Sequence, residues 1–342
     1  MKALVVHGPG DVRIDEREVP VPGRGEVLLA MEWGGICGSD IAYWQKGASG
    51  TAALTHPLVL GHEVAGRIAG LGDGVTGLRE GQAVTVHPAR LVGDGLLPER
   101  IAGRTNLYPQ VRYFGSAAFD PHTDGGFSEF RAVPAVQIRP LPNGVDTEQG
   151  ALAEPLAVAL HAVGRVPELG GRSVLVNGCG PIGSLVVAAA RLRGAGTVVA
   201  ADVSSSSLKV AGAMGADETR DLSGGETLPE DVDVVFEASG APGALGPVLR
   251  ATARGGTVVQ VGNLPGTNVP AALGDLVTRE ITWIGSYRFV EEIDDALRAL
   301  RDGLDVSPLI THRFPLERAE EALVVAADPT GGSSKVMLRL TP

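Results

Sequence analysis

The chain has 342 residues, of which 44% are hydrophobic and 20% charged, and a formal net charge of -11. That length suits two folded domains, and that apolar content excludes a disordered chain. The acidic balance, with no Lys/Arg run, argues against a nucleic-acid partner, and no apolar stretch is long enough to span a membrane.

Met1 to His7 reads as a first strand broken by Gly8 and Pro9, unlike a signal peptide, so the protein is expected in the cytoplasm. Up to about residue 150 the chain is rich in Gly and Pro, with short β-type runs at Glu26–Met31, Val64–Ala69 and Gln82–His87. From Arg172 the rhythm becomes strand, helix, strand: Ser173–Asn177, a helix through Arg193, then Thr197–Ala201. Runs at Asp233–Glu237, Thr257–Val261 and Ile281–Ile284 extend this to a parallel sheet of about five or six strands. Amphipathic helices follow at Glu291–Arg301 and near Leu316–Ala327. A last strand-like run, Lys335–Leu340, is expected to return to the first domain. The division expected is a β-rich domain over 1–150, a doubly wound parallel sheet over 151–288, and a returning segment over 289–342.

Val174 to Gly183 is an apolar strand entering G-x-G-x-x-G at a helix start, with Gly178, Gly180 and Gly183 as the glycines and Pro181 and Ile182 between them. Such a turn lets the backbone approach a pyrophosphate and aims helix N-terminal amides at its charge. Asp202 follows Gly183 by about 20 residues, at the end of the next strand, where a carboxylate bonds a ribose hydroxyl and repels a 2′-phosphate. Val203 and the serines after it supply no arginine, which favours NAD over NADP, with Lys209 the one nearby cation against this. A glycine-rich turn that binds nothing, or another nucleotide, is the competing reading. Cys179 reads as a small filler in the turn.

Only two cysteines occur, Cys37 and Cys179, which excludes a disulfide framework and a four-thiolate zinc site, so any metal has mixed ligands. Candidate ligands are Cys37, His62, Glu63 and Glu154. A thiolate, an imidazole and carboxylates suit zinc, with one position kept open for catalysis. In isolation each is more often structural.

The stretches Gly34-Gly35-Ile36-Cys37-Gly38-Ser39-Asp40 and Gly61-His62-Glu63-Val64-Ala65-Gly66, followed by the nucleotide motif, change that balance. Carrying them, the chain resembles the zinc-dependent medium-chain alcohol and polyol dehydrogenases over essentially its whole length. Arg112 to Ala117, Pro121 to Phe127, Glu154 to Val158 and Gly285 to Phe289 make it similar to the sorbitol dehydrogenase branch, especially the L-idonate 5-dehydrogenases. The resemblance implies a GroES-like catalytic domain and a Rossmann cofactor domain. It makes Cys37 and His62 zinc ligands with Glu63 the third, and leaves open whether Glu154 ligates directly or holds the water on the metal. It gives Ser39 the proton relay, Asp40 the orientation of the imidazole, Tyr43, Arg112, Phe114 and Arg288 the substrate, and Val261 and Arg288 a place beside the cofactor.

Two departures stand out. The stretch His87 to Arg112 lacks the cysteines that hold a structural zinc in many family members, so one catalytic zinc per chain is expected. Ala42 stands where relatives often carry a relay histidine. The reaction implied is oxidation of a secondary alcohol by NAD, with L-idonate to 5-keto-D-gluconate preferred and Arg112 or Arg288 pairing with the carboxylate. A neutral polyol dehydrogenase, a metal-free NAD-binding regulator and a zinc-independent quinone reductase fold are the alternatives. A homodimer or homotetramer is expected, with the run near Ile281 as an edge strand.

Overall fold

The computed structural model describes residues 1–341. In chain order the first part gives β1 (Lys2–Gly8), β2 (Asp11–Glu16), β3 (Glu26–Gly35), α1 (Gly38–Lys46), β4 (Leu58–Val59), β5 (Glu63–Leu71), β6 (Ala83–Val86), β7 (Ala89–Leu91), β8 (Val111–Tyr113), β9 (Phe130–Pro134) and β10 (Ile138–Pro140). Along β3 every second residue, Val27, Leu29 and Met31, points into the core, the period-two pattern of a half-buried strand. The strand runs four residues past Met31, to Gly35, because glycines make room for a ring. A Cβ on Gly34 would lie 2.6 Å from the fully buried Phe127, and one on Gly61, whose φ is +96°, would lie 2.2 Å from it.

Two short helices lead out of this region: α2 (Thr147–Ala151), opened by a reciprocal Asp146–Gln149 capping box, and α3 (Ala153–Gly164). There follow β11 (Ser173–Asn177), α4 (Pro181–Leu192), β12 (Thr197–Asp202), α5 (Ser205–Ala213), β13 (Glu218–Asp221), β14 (Val232–Glu237), α6 (Leu245–Ala251), β15 (Thr252–Gln260), α7 (Gly274–Thr278) and β16 (Thr282–Gly285). The six strands are parallel in the order β13-β12-β11-β14-β15-β16. This is the doubly wound Rossmann arrangement, whose order reverses between β11 and β14 and opens a ligand crevice at their carboxyl ends.

After residue 288 the chain serves both sheets. Helix α8 (Glu292–Arg301) buries Ile293, Ala296, Leu297 and Leu300 in the core that also takes α3 and α4, one apolar stripe at helical spacing. Then β17 (Ile310–Pro315) and β18 (Lys335–Arg339) pair in parallel, with α9 (Ala319–Ala327) between them. Strand β18 lies antiparallel on β3, with Met337 opposite Gly35, completing a seven-stranded sheet in the order β10-β6-β5-β3-β18-β17 with β9 also on β3. No helix of the described residues is long and apolar enough to cross a membrane.

Phe127 therefore sets the spacing between the end of β3 and the turn before β5. Phe127→Ala is expected to destabilise the protein by about 3–5 kcal/mol in urea unfolding; a loss under about 1 kcal/mol would show that the ring does not bear this packing.

Candidate functional site

Strands β3 and β5 pair with Gly35 opposite Glu63 and Gly34 opposite Val64. That register puts the residues just after β3 beside those that begin β5. Cys37 is the N-cap of α1, and Asp40 in the first turn accepts the Cys37 N–H at 2.9 Å through Oδ2 and the Gly61 N–H at 3.1 Å through Oδ1. The fully buried Asp40 thus binds backbone on both sides of the site; its hydrogen bonds go to amides that position the thiol and the imidazole, and none goes to the His62 ring. The outcome is a cluster in which ligand atoms of Cys37, His62 and Glu63 all lie within 4.8 Å of one another.

The cluster has a cation of its own that the sequence did not single out. Lys335, the first residue of β18 and 1% exposed, reaches both Glu63 carboxylate oxygens at 2.7 and 2.6 Å and the Ile36 carbonyl at 3.1 Å. Burial disfavours an ammonium here, but Glu63 outweighs it and keeps Lys335 charged. Gly35 is required beside this pair, since a Cβ there would sit 2.2 Å from a Glu63 oxygen. Burial likewise opposes a charged His62, yet Cys37, backed by Asp40 and Glu154, raises its pKa to about 10. The pocket therefore favours positive charge at the imidazole, and its sulfur, nitrogen and oxygen donors match zinc.

Glu154, in the first turn of α3 and 4% exposed, lies near but outside the cluster. Its Oε1 accepts a 2.5 Å hydrogen bond from the Tyr113 hydroxyl, whose proton is held by burial and by the adjacent carboxylate. The Tyr113 ring meets the His62 ring edge-on with centroids 5.7 Å apart and carries the Arg288 guanidinium 4.1 Å from its centroid. Arg288 sits in the left-handed region at φ 52° and stacks on Tyr287 as well. Ser39, half-buried, stands in the first turn of α1 two residues after Cys37.

Three residues expected at the substrate have other engagements. The buried Tyr43 hydroxyl accepts the Ala117 N–H at 3.0 Å, and Phe114 lies buried beneath the Arg131 guanidinium at 4.3 Å. Arg112 donates to the Pro121 carbonyl at 2.7 Å and stacks on Phe119. Of the two arginines considered for a carboxylate, Arg288 is the one beside the cluster.

The lobe between β6 and β8 has a small core of Tyr108, Val111 and Tyr113. The Tyr108 hydroxyl bonds Asp94 and the Gly95 amide, both at 3.1 Å, and Asn106 donates to the Tyr287 carbonyl at 2.7 Å, tying the lobe to the Arg288 segment. Between them lies a cavity of about 280 Å³ whose lining includes His87, Arg90, Asn106, Arg139 and Arg288.

At the carboxyl end of β11, Gly178 adopts φ +90°, and a Cβ on Gly183 would lie 1.8 Å from the Gly178 carbonyl. A Cβ on Gly180 would meet nothing within 4 Å, so the N-cap of α4 opens to space a ligand can enter. Pro181 and Ile182 begin α4 half-buried. Asp202 ends β12 with its carboxylate accepting the Cys179 N–H at 2.6 Å and the Ser204 N–H at 2.8 Å. Burial pushes the Cys179 thiol up to about 12, a neutral filler that points its sulfur at the Ala201 carbonyl. Val261 follows β15, its amide bonded to the Glu237 carbonyl at 2.8 Å.

Two family profiles match. Residues 23–143 fit the alcohol dehydrogenase GroES-like domain and residues 181–302 the zinc-binding dehydrogenase family. L-idonate 5-dehydrogenase (NAD(P)(+)) of Escherichia coli is 37% identical, with 98% of each chain covered. Sorbitol dehydrogenase of Gallus gallus is 36% identical, covering 99% of this chain and 96% of that one. The crystal structure of the E. coli L-idonate 5-dehydrogenase superposes with a TM-score of 0.90 at 37% identity, over 99% of this chain and 97% of that one.

Removing Lys335 leaves Glu63 buried without its partner, so Lys335→Met should cost about 3–5 kcal/mol in chelator-treated protein. Adding Glu63→Gln should recover most of that loss in the same urea titration. A single variant as stable as the parent would remove the pair from the account.

Proposed function

This chain belongs to the zinc-dependent alcohol and polyol dehydrogenases of the medium-chain type, and from that premise we propose that it oxidises the C5 hydroxyl of L-idonate, or of a closely similar sugar acid, to the ketone with NAD as hydride acceptor. The observation that carries this reading is the convergence of Cys37, His62 and Glu63 beside a Tyr113 ring that bears Arg288. The identity to L-idonate 5-dehydrogenase supports it.

Cys37, His62 and Glu63 are the residues that would hold one zinc per chain, and the apolar core of the 87–112 lobe favours its standing without a structural metal. When bound, zinc supplies a Lewis acid that brings the alcohol's pKa toward neutrality. Ser39 takes the alcohol proton and passes it outward, in a relay for which Ala42 offers no imidazole. Glu154, with one oxygen held by Tyr113, stays outside the ligand set and presents its other oxygen to the reactants. Asp40 fixes the backbone of both ligand-bearing segments, and Lys335 favours the ionised form of Glu63 against the burial that pushes its pKa up. The amides after Gly180 would hold the cofactor's pyrophosphate and Asp202 its ribose, with Val261 beside them. The cleft between the two sheets is then the reaction chamber, and the cytoplasm its setting.

Arg288 is the group we assign to the substrate carboxylate. Tyr113 and Tyr287 stack on its faces, and no hydrogen-bond acceptor among the described residues takes its N–H edge. A bidentate pair with a carboxylate fits that edge. The likeness to sorbitol dehydrogenase favours a neutral polyol as the second reading. Steady-state rates with L-idonate, sorbitol, xylitol and galactitol separate the two. Arg288→Ala should lower kcat/KM for L-idonate by about 10- to 100-fold, the worth of a charged hydrogen bond, and change the best neutral polyol far less. Equal losses on both substrates, or no idonate activity in the parent enzyme, would defeat the sugar-acid assignment.

A further inference from the structure

The glycine-rich turn is only one wall of the cofactor crevice. The others are the loops that follow β14 and β15, residues 238–240 and 261–263, and all three meet at one buried carboxylate. Glu237 ends β14 with no solvent exposure. Its Oε1 accepts from the Ser239 amide at 2.9 Å, from the Ser239 hydroxyl and, at 3.4 Å, from the Asn177 side chain at the end of β11. Its Oε2 accepts from the Gly240 amide at 3.2 Å and from Gln260 Nε2, at the end of β15, at 2.5 Å. Gln260 then donates to the Gly262 carbonyl at 2.8 Å, and the Val261 and Gly262 amides both bond the Glu237 carbonyl at 2.8 Å.

The backbones held this way are in direct contact. A Cβ on Gly178 would lie 2.4 Å from the Ser239 amide nitrogen, one on Gly240 2.6 Å from the Asn263 carbonyl, and one on Gly262 2.3 Å from the Gly240 nitrogen. The turn and its two neighbouring loops therefore form one stack of glycine backbones across the point where the strand order reverses. A buried carboxylate is costly unless its lone pairs are filled, and here donors from three adjacent strands and their loops fill them.

We propose that Glu237 is a positioning residue for the dinucleotide: by gathering the ends of β11, β14 and β15 onto one carboxylate, it fixes the spacing between the glycine-rich turn and the Ser239 and Val261 loops, and so sets cofactor affinity without touching the cofactor. This rests on the reading of Gly178 to Asp202 as the cofactor site. An amide in place of the carboxylate would turn an NH₂ group toward donors that need an acceptor, and the loops would part.

The test is NADH binding to metal-free protein, followed by fluorescence at least about 15 °C below each variant's melting temperature, where local spacing and global stability are separate observables. Glu237→Gln should raise the NADH Kd at least about tenfold while zinc uptake, measured separately, stays as in the parent. Ser239→Ala, which deletes one donor and leaves the carboxylate, should raise it about three- to tenfold and decides the matter should Glu237→Gln not fold. A lowered melting temperature with an unchanged Kd would mean that Glu237 serves stability alone, and would overturn the proposal. A parent protein that binds neither NADH nor NADPH would instead overturn the cofactor reading beneath it.

Discussion

The site depends on one crowded meeting of charge. Pairing of β3 with β5 drives a thiol, an imidazole and a carboxylate to within 4.8 Å, with Asp40 and Glu154 buried close by. Few environments in a protein are so costly without a cation, since each buried anion needs a partner to offset lost hydration. The chain supplies one itself, Lys335, brought from the far end of the sequence by β18. The remaining negative potential falls on the imidazole and raises His62. A divalent ion would meet both needs at once, which is why the geometry and the family membership point to the same chemistry.

The same economy of backbone recurs in both halves. Near the Cys37, His62 and Glu63 cluster, Gly34, Gly35 and Gly61 are bare because Phe127 and Glu63 occupy the space their side chains would fill. At the cofactor crevice, Gly178, Gly240 and Gly262 are bare because backbone packs on backbone. In each place a buried carboxylate turns loose loops into fixed walls: Asp40 accepts backbone amides from two segments, and Glu237 accepts those of its own loop together with the Asn177 and Gln260 side chains. Loop rigidity of this kind is what a hydride transfer needs, because its geometry must be set before the reaction begins.

Much of this was legible in the sequence. Ser173–Asn177 reads as a strand because five residues of β-type pattern run straight into a glycine turn, and it is observed with those bounds. Cys37, His62 and Glu63 were legible as candidate ligands from residue type and resemblance, and the structure gathers them. Lys335 was not, because a lysine opening an apolar strand gives no local sign that it will be buried. Its role exists only through a strand pairing that spans most of the chain. Tyr113 lay inside a matched stretch, but its hydroxyl becomes meaningful only once α3 places Glu154 against it. For Glu237 a signal did exist: an acid ending an apolar strand and followed by Ala-Ser-Gly, where a carboxylate can accept its own loop's amides. Tyr43, Phe114 and Arg112 show the reverse, since motif position alone did not reveal that their polar or aromatic groups have partners elsewhere.

The central claim is that a zinc ion sits among sulfur, nitrogen and oxygen donors from Cys37, His62 and Glu63. X-ray absorption at the zinc edge, on protein loaded with one equivalent of metal, reads that donor set directly. The account predicts one sulfur neighbour at about 2.3 Å with nitrogen and oxygen neighbours at about 2.0–2.2 Å. A first shell without sulfur, unchanged when Cys37 is replaced by Ser, would contradict it.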